Sequence, residues 1–113
     1  MKVFELVEKL GLTVFSGQQG LDREVSGGYI SDLLSDVMGN SQERQVWITL
    51  QVHQNVIAIA SLKELAAVIL VNRLEPQENT KEASTREGIP VLGTSLSTFE
   101  IAGKVYQLMQ QKV

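Results

Sequence analysis

Cysteine is absent from all 113 residues, which excludes disulfides, thiolate chemistry and cysteine-held metal, and fits a reducing cytoplasm. Aromatic residues make up only 5% of the chain. Val, Ile, Leu and Ala must therefore build the core, as they do where helices cover a parallel sheet. No segment concentrates Lys or Arg, and the formal net charge is −3. That leaves no electrostatic footprint for nucleic acid or anionic lipid. The longest apolar run, Leu65 to Val71, is far too short to span a membrane. Glu5, Glu8 and Lys9 interrupt the N-terminus, so it does not read as a signal peptide. Neither a Walker loop nor a Gly-x-Gly-x-x-Gly phosphate cradle occurs. What remains is a cytoplasmic globular domain, expected as one unit over residues 1–113, with no nucleic-acid or membrane partner.

The apolar pattern that is present alternates between two periods. Val3, Leu6, Val7 and Leu10 recur at helical spacing, and Gly11 stands where that helix should end. A short strand is expected at Leu12 to Phe15, then a turn through Ser16-Gly17-Gln18-Gln19-Gly20. Glu24 to Ile30 reads as a second strand, and Ser31 as the N-cap of a short helix from Asp32 to Met38. Gln45 to Leu50 is β-rich, and helical spacing returns from His53 to about Leu65. Ala66 to Val71 is apolar without alternation, as in a strand covered on both faces. Pro76 suits the first turn of the next helix and Gly88 its end, with a strand at Ile89 to Leu92. Ser97-Thr98-Phe99-Glu100 is a capping-box pattern that opens a C-terminal helix. Alternating strand and helix predicts an α/β fold: a mostly parallel sheet of about four to five strands layered with helices.

In such a sheet, ligands bind at the carboxyl ends of the strands. Three loops are expected there: Thr49 to Asn55, Asn72 to Glu75, and Gly93 to Ser97. The candidate ligand-binding residues are Thr49, His53, Asn72, Arg73, Thr94 and Ser95. Arg73 offers a bidentate fork for phosphate or carboxylate, Thr94 and Ser95 offer hydroxyls, and His53 and Asn72 polar contacts. The same residues also make ordinary caps and turns. His53 is the only histidine, and no Ser–His–Asp or Glu–His pairing can be read around it. A lone histidine without cysteine also falls short of a metal site, although Asp32 and Asp36 lie one helical turn apart. No catalytic residue, metal ligand or cofactor is assigned. Gly27-Gly28 reads as a binding loop or as a close chain crossing that delivers Ser31 to its helix.

The run Asp22-Arg23-Glu24-Val25-Ser26-Gly27-Gly28-Tyr29-Ile30-Ser31-Asp32-Leu33-Leu34-Ser35 resembles the DRTGG domain family. The likeness continues through Val46 to His53, Leu62 to Leu70 and Gly88 to Glu100, covering nearly everything from about residue 20 onward. It implies a fold similar to the N-terminal domain of HPr serine kinase. It also implies a regulatory role like that of accessory domains in phosphotransacetylases and CBS-domain pyrophosphatases. The chain departs from the family at one place. Related sequences often carry Thr-Gly-Gly after the strand matching Ala67 to Val71, where this chain has Val71-Asn72-Arg73-Leu74-Glu75-Pro76. Either Arg73 replaces the backbone donors with a charged side chain, or the ligand role has been lost.

The leading expectation is a non-catalytic regulatory module that binds a nucleotide or phosphorylated metabolite, or a partner protein, and self-associates. A purely structural homodimerisation domain is the alternative, with Phe4 and Met109 on the terminal helices as a candidate patch. An enzyme of phosphoryl or acyl transfer with His53 as base ranks last.

Overall fold

The computed structural model describes residues 1–111. Its elements run α1 (Val3–Leu10), β1 (Thr13–Ser16), a 3-10 turn (Gln18–Gly20), β2 (Gly27–Ile30), α2 (Leu34–Asn40), β3 (Gln45–Thr49), α3 (Asn55–Leu62), β4 (Ala67–Leu70), α4 (Glu78–Glu87), β5 (Val91–Gly93) and α5 (Thr98–Gln110). One sheet carries them in the order β1-β5-β4-β3-β2. β2 to β5 are parallel, and β1 closes one edge antiparallel to β5. The expected α/β architecture is therefore present, with β1 as the one antiparallel strand. No helix among the described residues is long and apolar enough to cross a membrane.

The pleat sorts the strand side chains into two cores. Val46, Ile48, Ala67, Ile69 and Leu92 pack with Val3 and Leu6 of α1 and with Ile101 and Val105 of α5. Their alternates, Trp47, Val68, Leu70 and Val91, pack with Val37 of α2, Val56, Ile57 and Ala60 of α3, and Ala83 of α4. Burial on both faces accounts for the unbroken apolar run of β4.

α4 solves a harder local problem, because Ala83 is its single apolar residue. Its inner face is Thr80, Ala83 and Ser84 at i, i+3 and i+4, and each hydroxyl must find a partner to be buried there. Thr80 Oγ1 donates to the Val52 carbonyl at 2.8 Å. Ser84 Oγ donates to the Ile89 carbonyl at 2.6 Å and accepts from Ser16 Oγ at 2.8 Å.

Helix ends follow their sequence signals in three places. Gly11 and Gly88 adopt left-handed backbone after α1 and α4, and Ser97 and Glu100 form a complete capping box on α5. α2 departs from expectation, starting at Leu34 rather than Asp32. Ser31 Oγ accepts from the Leu33 amide, so it holds the turn before the helix instead of capping it. Asp32 is diverted altogether, to the end of β3.

The Gly27-Gly28 pair departs as well. A Cβ at Gly27 would meet nothing within 4 Å, and one at Gly28 would make ordinary contacts of 3.7–3.8 Å with Val46 and Val105. No close crossing among the described residues requires these glycines.

Candidate functional site

Two sites form at the carboxyl ends of the strands, and the sequence candidates divide between them. At the end of β3, buried Thr49 donates from Oγ1 to Asp32 Oδ1 at 2.8 Å, and the Leu50 amide donates to the same oxygen at 2.7 Å. Gln51 closes the knot by donating from Nε2 to the Asp32 carbonyl at 2.9 Å. Thr49 thus works as a latch between the β2–α2 and β3–α3 loops. His53 is exposed in the next turn, where its Nδ1 accepts the Asn55 amide at 3.1 Å.

Arg73, Thr94 and Ser95 come together in the second site. They line a cleft of about 530 Å³ with Leu10, Thr13 and Phe15. Two successive non-glycine residues, Asn72 (φ 57°) and Arg73 (φ 62°), turn left-handed just beyond β4. Their amides donate to the Leu96 and Thr94 carbonyls, each at 2.9 Å, which zips the β4–α4 loop onto the β5–α5 loop. This backbone projects the exposed Arg73 beside Thr94 and Ser95, while Asn72 itself stays outside the cleft lining. Thr94 Oγ1 accepts the Leu96 amide at 3.2 Å. Arg73 forms no ion pair among the described residues, and Glu75 on the rim is the cleft's one carboxylate.

Phe15 is the wall residue the sequence did not reveal. Antiparallel pairing of β1 with β5 lays its ring over Gly93, where a Cβ would stand 2.9 Å from Phe15 Cζ. Glycine at position 93 makes room for this aromatic wall.

A larger and more apolar cleft, about 810 Å³, runs between β2 and α5. Gly27, Gly28, Ile30, Phe99, Ala102 and Tyr106 are among its lining residues. Phe99 is 89% exposed and Tyr106 68%. The patch expected around Phe4 and Met109 is weaker, since Phe4 is 44% exposed and Met109 packs half-buried on the core.

Asp32 and Asp36 serve separate networks, and no three His, Asp or Glu side chains among the described residues gather to hold a metal. Asp36 accepts from Tyr29 Oη at 2.9–3.0 Å and from Asn40 Nδ2 at 2.9 Å. The Ser31 hydroxyl, the Asn40 amide and the Tyr29 hydroxyl hold its carboxyl below the ordinary value of 3.8. The same contact with Asp36 raises the Tyr29 hydroxyl. A carboxyl lowered by folding contributes stability above its unfolded value and loses it as pH falls through the folded one. The melting temperature is therefore expected to drop more steeply below pH 3.8 in the native chain than in Asp36→Asn. Parallel acid profiles would show that this network contributes nothing.

A family model described as DRTGG domain matches residues 5–108. Among solved structures, the chain is similar to one of the CBS and DRTGG domains of the regulatory region of Clostridium perfringens pyrophosphatase, complexed with its activator, diadenosine tetraphosphate. The TM-score is 0.70 at 11% sequence identity, over 92% of this chain and 45% of that one. At that identity the likeness concerns the fold, and this chain spans under half the length of its neighbour. No curated protein matches.

Proposed function

The chain belongs to the DRTGG domain family, and we propose that it is a non-catalytic regulatory domain that takes a small anionic ligand in the Arg73 cleft and self-associates. The observation that carries the ligand reading is the placement of Arg73. Just beyond β4 the backbone turns left-handed at two successive non-glycine residues, Asn72 and Arg73. For non-glycine residues that conformation costs roughly 1–2 kcal/mol each, less for Asn. Strain of this kind persists where a side chain is needed in one place. Here it delivers a guanidinium that forms no ion pair among the described residues to a cleft with three hydroxyls, those of Thr13, Thr94 and Ser95.

The charge inside the cleft narrows the ligand class. One arginine opposed by Glu75 suits a single phosphoryl or carboxylate group better than a polyphosphate chain. Phe15, Leu10 and Leu96 leave an apolar wall for the body of the ligand, so a nucleoside monophosphate is the first compound to try. His53 supports the non-catalytic reading, since its Nδ1 is occupied by the Asn55 amide and no carboxylate among the described residues hydrogen-bonds to its ring.

A thermal-shift series over nucleoside mono-, di- and triphosphates and phosphorylated metabolites tests this proposal. At 100 times Kd, a ligand stabilises the fold by about 2.7 kcal/mol. Arg73→Gly is expected to raise the melting temperature of the free protein by relieving about 1 kcal/mol of strain. It should also weaken the ligand by about 10- to 100-fold, the loss of one charge-assisted contact. If no phosphorylated compound moves the melting temperature, the ligand reading is wrong.

A further inference from the structure

We infer that the groove between β2 and α5 is the surface on which two copies of this chain meet, edge to edge, about a two-fold axis beside Gly28. This inference rests on the self-association proposed above and gives it a place. β2 lies at the edge of the sheet, hydrogen-bonded by β3 on one side only. The other edge carries the remaining N–H and C=O groups of Gly27-Gly28-Tyr29-Ile30. Natural edge strands are protected by charge, proline or a bulge. This one contains neither charge nor proline, and its register against β3 is regular.

Three glycines that no neighbour among the described residues requires converge on the groove. Gly27 and Gly103 would each accept a Cβ with nothing within 4 Å, Gly28 with ordinary contacts only, and none of the three has positive φ. Inside a helix, Gly103 costs about 1 kcal/mol relative to alanine. Bare backbone on both walls of one apolar groove is suited to another chain coming close. Phe99 (89% exposed), Tyr106 (68%) and Ile30 (49%) supply the apolar surface such an approach would cover.

Charge identifies the occupant as a second copy. An antiparallel β2 pair places both α5 helices on the same face of a continuous sheet, running in opposite directions. Glu100 and Lys104 lie four residues apart on the groove side of α5, with Ala102 and Gly103 between them. A two-fold axis near Ala102 sets Glu100 of each copy against Lys104 of the other across small residues. The surface is complementary to itself, as an isologous dimer requires.

The absence of cysteine makes a covalent test clean. Residues directly opposed in an antiparallel pair have Cα atoms about 4.5–5.5 Å apart, within disulfide reach. Gly28→Cys under mild oxidant is expected to run as a covalent dimer on a non-reducing gel. Leu62→Cys, also exposed but on α3, is expected to stay monomeric. Sedimentation of the unmodified full chain should give twice the monomer mass, and Phe99→Glu should raise the dimer dissociation constant at least about 10-fold while the far-UV spectrum is unchanged. An unmodified chain that stays monomeric at concentrations on the order of 100 μM, where even weak micromolar association is visible, overturns self-association and this interface together. A dimer that survives Phe99→Glu unchanged, with Gly28→Cys uncrosslinked, overturns the interface alone.

Discussion

Alanine at Gly17 is expected to cost the fold about 3 kcal/mol, by adding a left-handed penalty of about 1 kcal/mol to overpacking against rigid backbone. Gly17 has φ 73°, and its Cβ would fall 2.7 Å from both the Ile89 carbonyl carbon and Ser84 Oγ. It would strike the junction where Ser16, Ser84 and Ile89 are hydrogen-bonded in sequence. Neither α4 nor the start of β5 can yield without breaking those buried bonds. Gly20 is under a similar constraint, since its Cβ would collide with the Gly88 carbonyl and stand 2.8 Å from Pro90 Cδ. Gly27→Ala, by contrast, should change stability by less than about 0.5 kcal/mol when measured dilute. Urea midpoints at constant m separate these outcomes. Equal costs at Gly17 and Gly27 would mean that the β1–β2 segment does not lie against the α4–β5 turn as described.

Trp47→Ala should cost about 4 kcal/mol, the usual range for deleting a large buried aromatic. Trp47 is fully buried at the centre of the core under α2, α3 and α4. Its Nε1 also donates to the Ser31 carbonyl at 2.8 Å, fixing the turn that leads into α2. Trp47→Phe keeps most of the ring volume and loses the hydrogen bond, so about 1–2 kcal/mol is expected. Should phenylalanine prove as damaging as alanine, the tie to Ser31 matters more than the packing.

These predictions separate two kinds of glycine that the sequence makes look alike. Gly27-Gly28 stands out as a pair inside a strand, yet nothing among the described residues crowds it. Gly17, Gly20 and Gly93 sit in what reads as ordinary loop sequence, and each has a neighbour where a Cβ would go. Close approach is a property of two segments. A sequence displays only one of them at a time.

The candidate site divides for the same reason. Arg73, Thr94 and Ser95 were legible because loops after β4 and β5 must emerge together from neighbouring parallel strands. Thr49 also follows a parallel strand, but Asp32 captures its hydroxyl. The sequence places Asp32 in the first turn of a helix, one turn from Asp36, and nothing local ties it to the end of β3. Phe15 could not be assigned to the cleft because nothing local specifies that β1 pairs with β5, or in which direction.

Hydrophobic periodicity, caps and composition by themselves determined the α/β class, the order of elements, the C-terminal ends of α1 and α4 and the start of α5. All of these are set by interactions within a few residues. Pro76, expected in the first turn of α4, stands instead just before its N-cap Gln77. The tertiary structure alone decided which edge β1 would close, where backbone would crowd backbone, and that the bare strand β2 would face outward beside Phe99 and Tyr106. Those outcomes depend on segments far apart in the chain, and on apolar surface that becomes a groove only after both cores have closed.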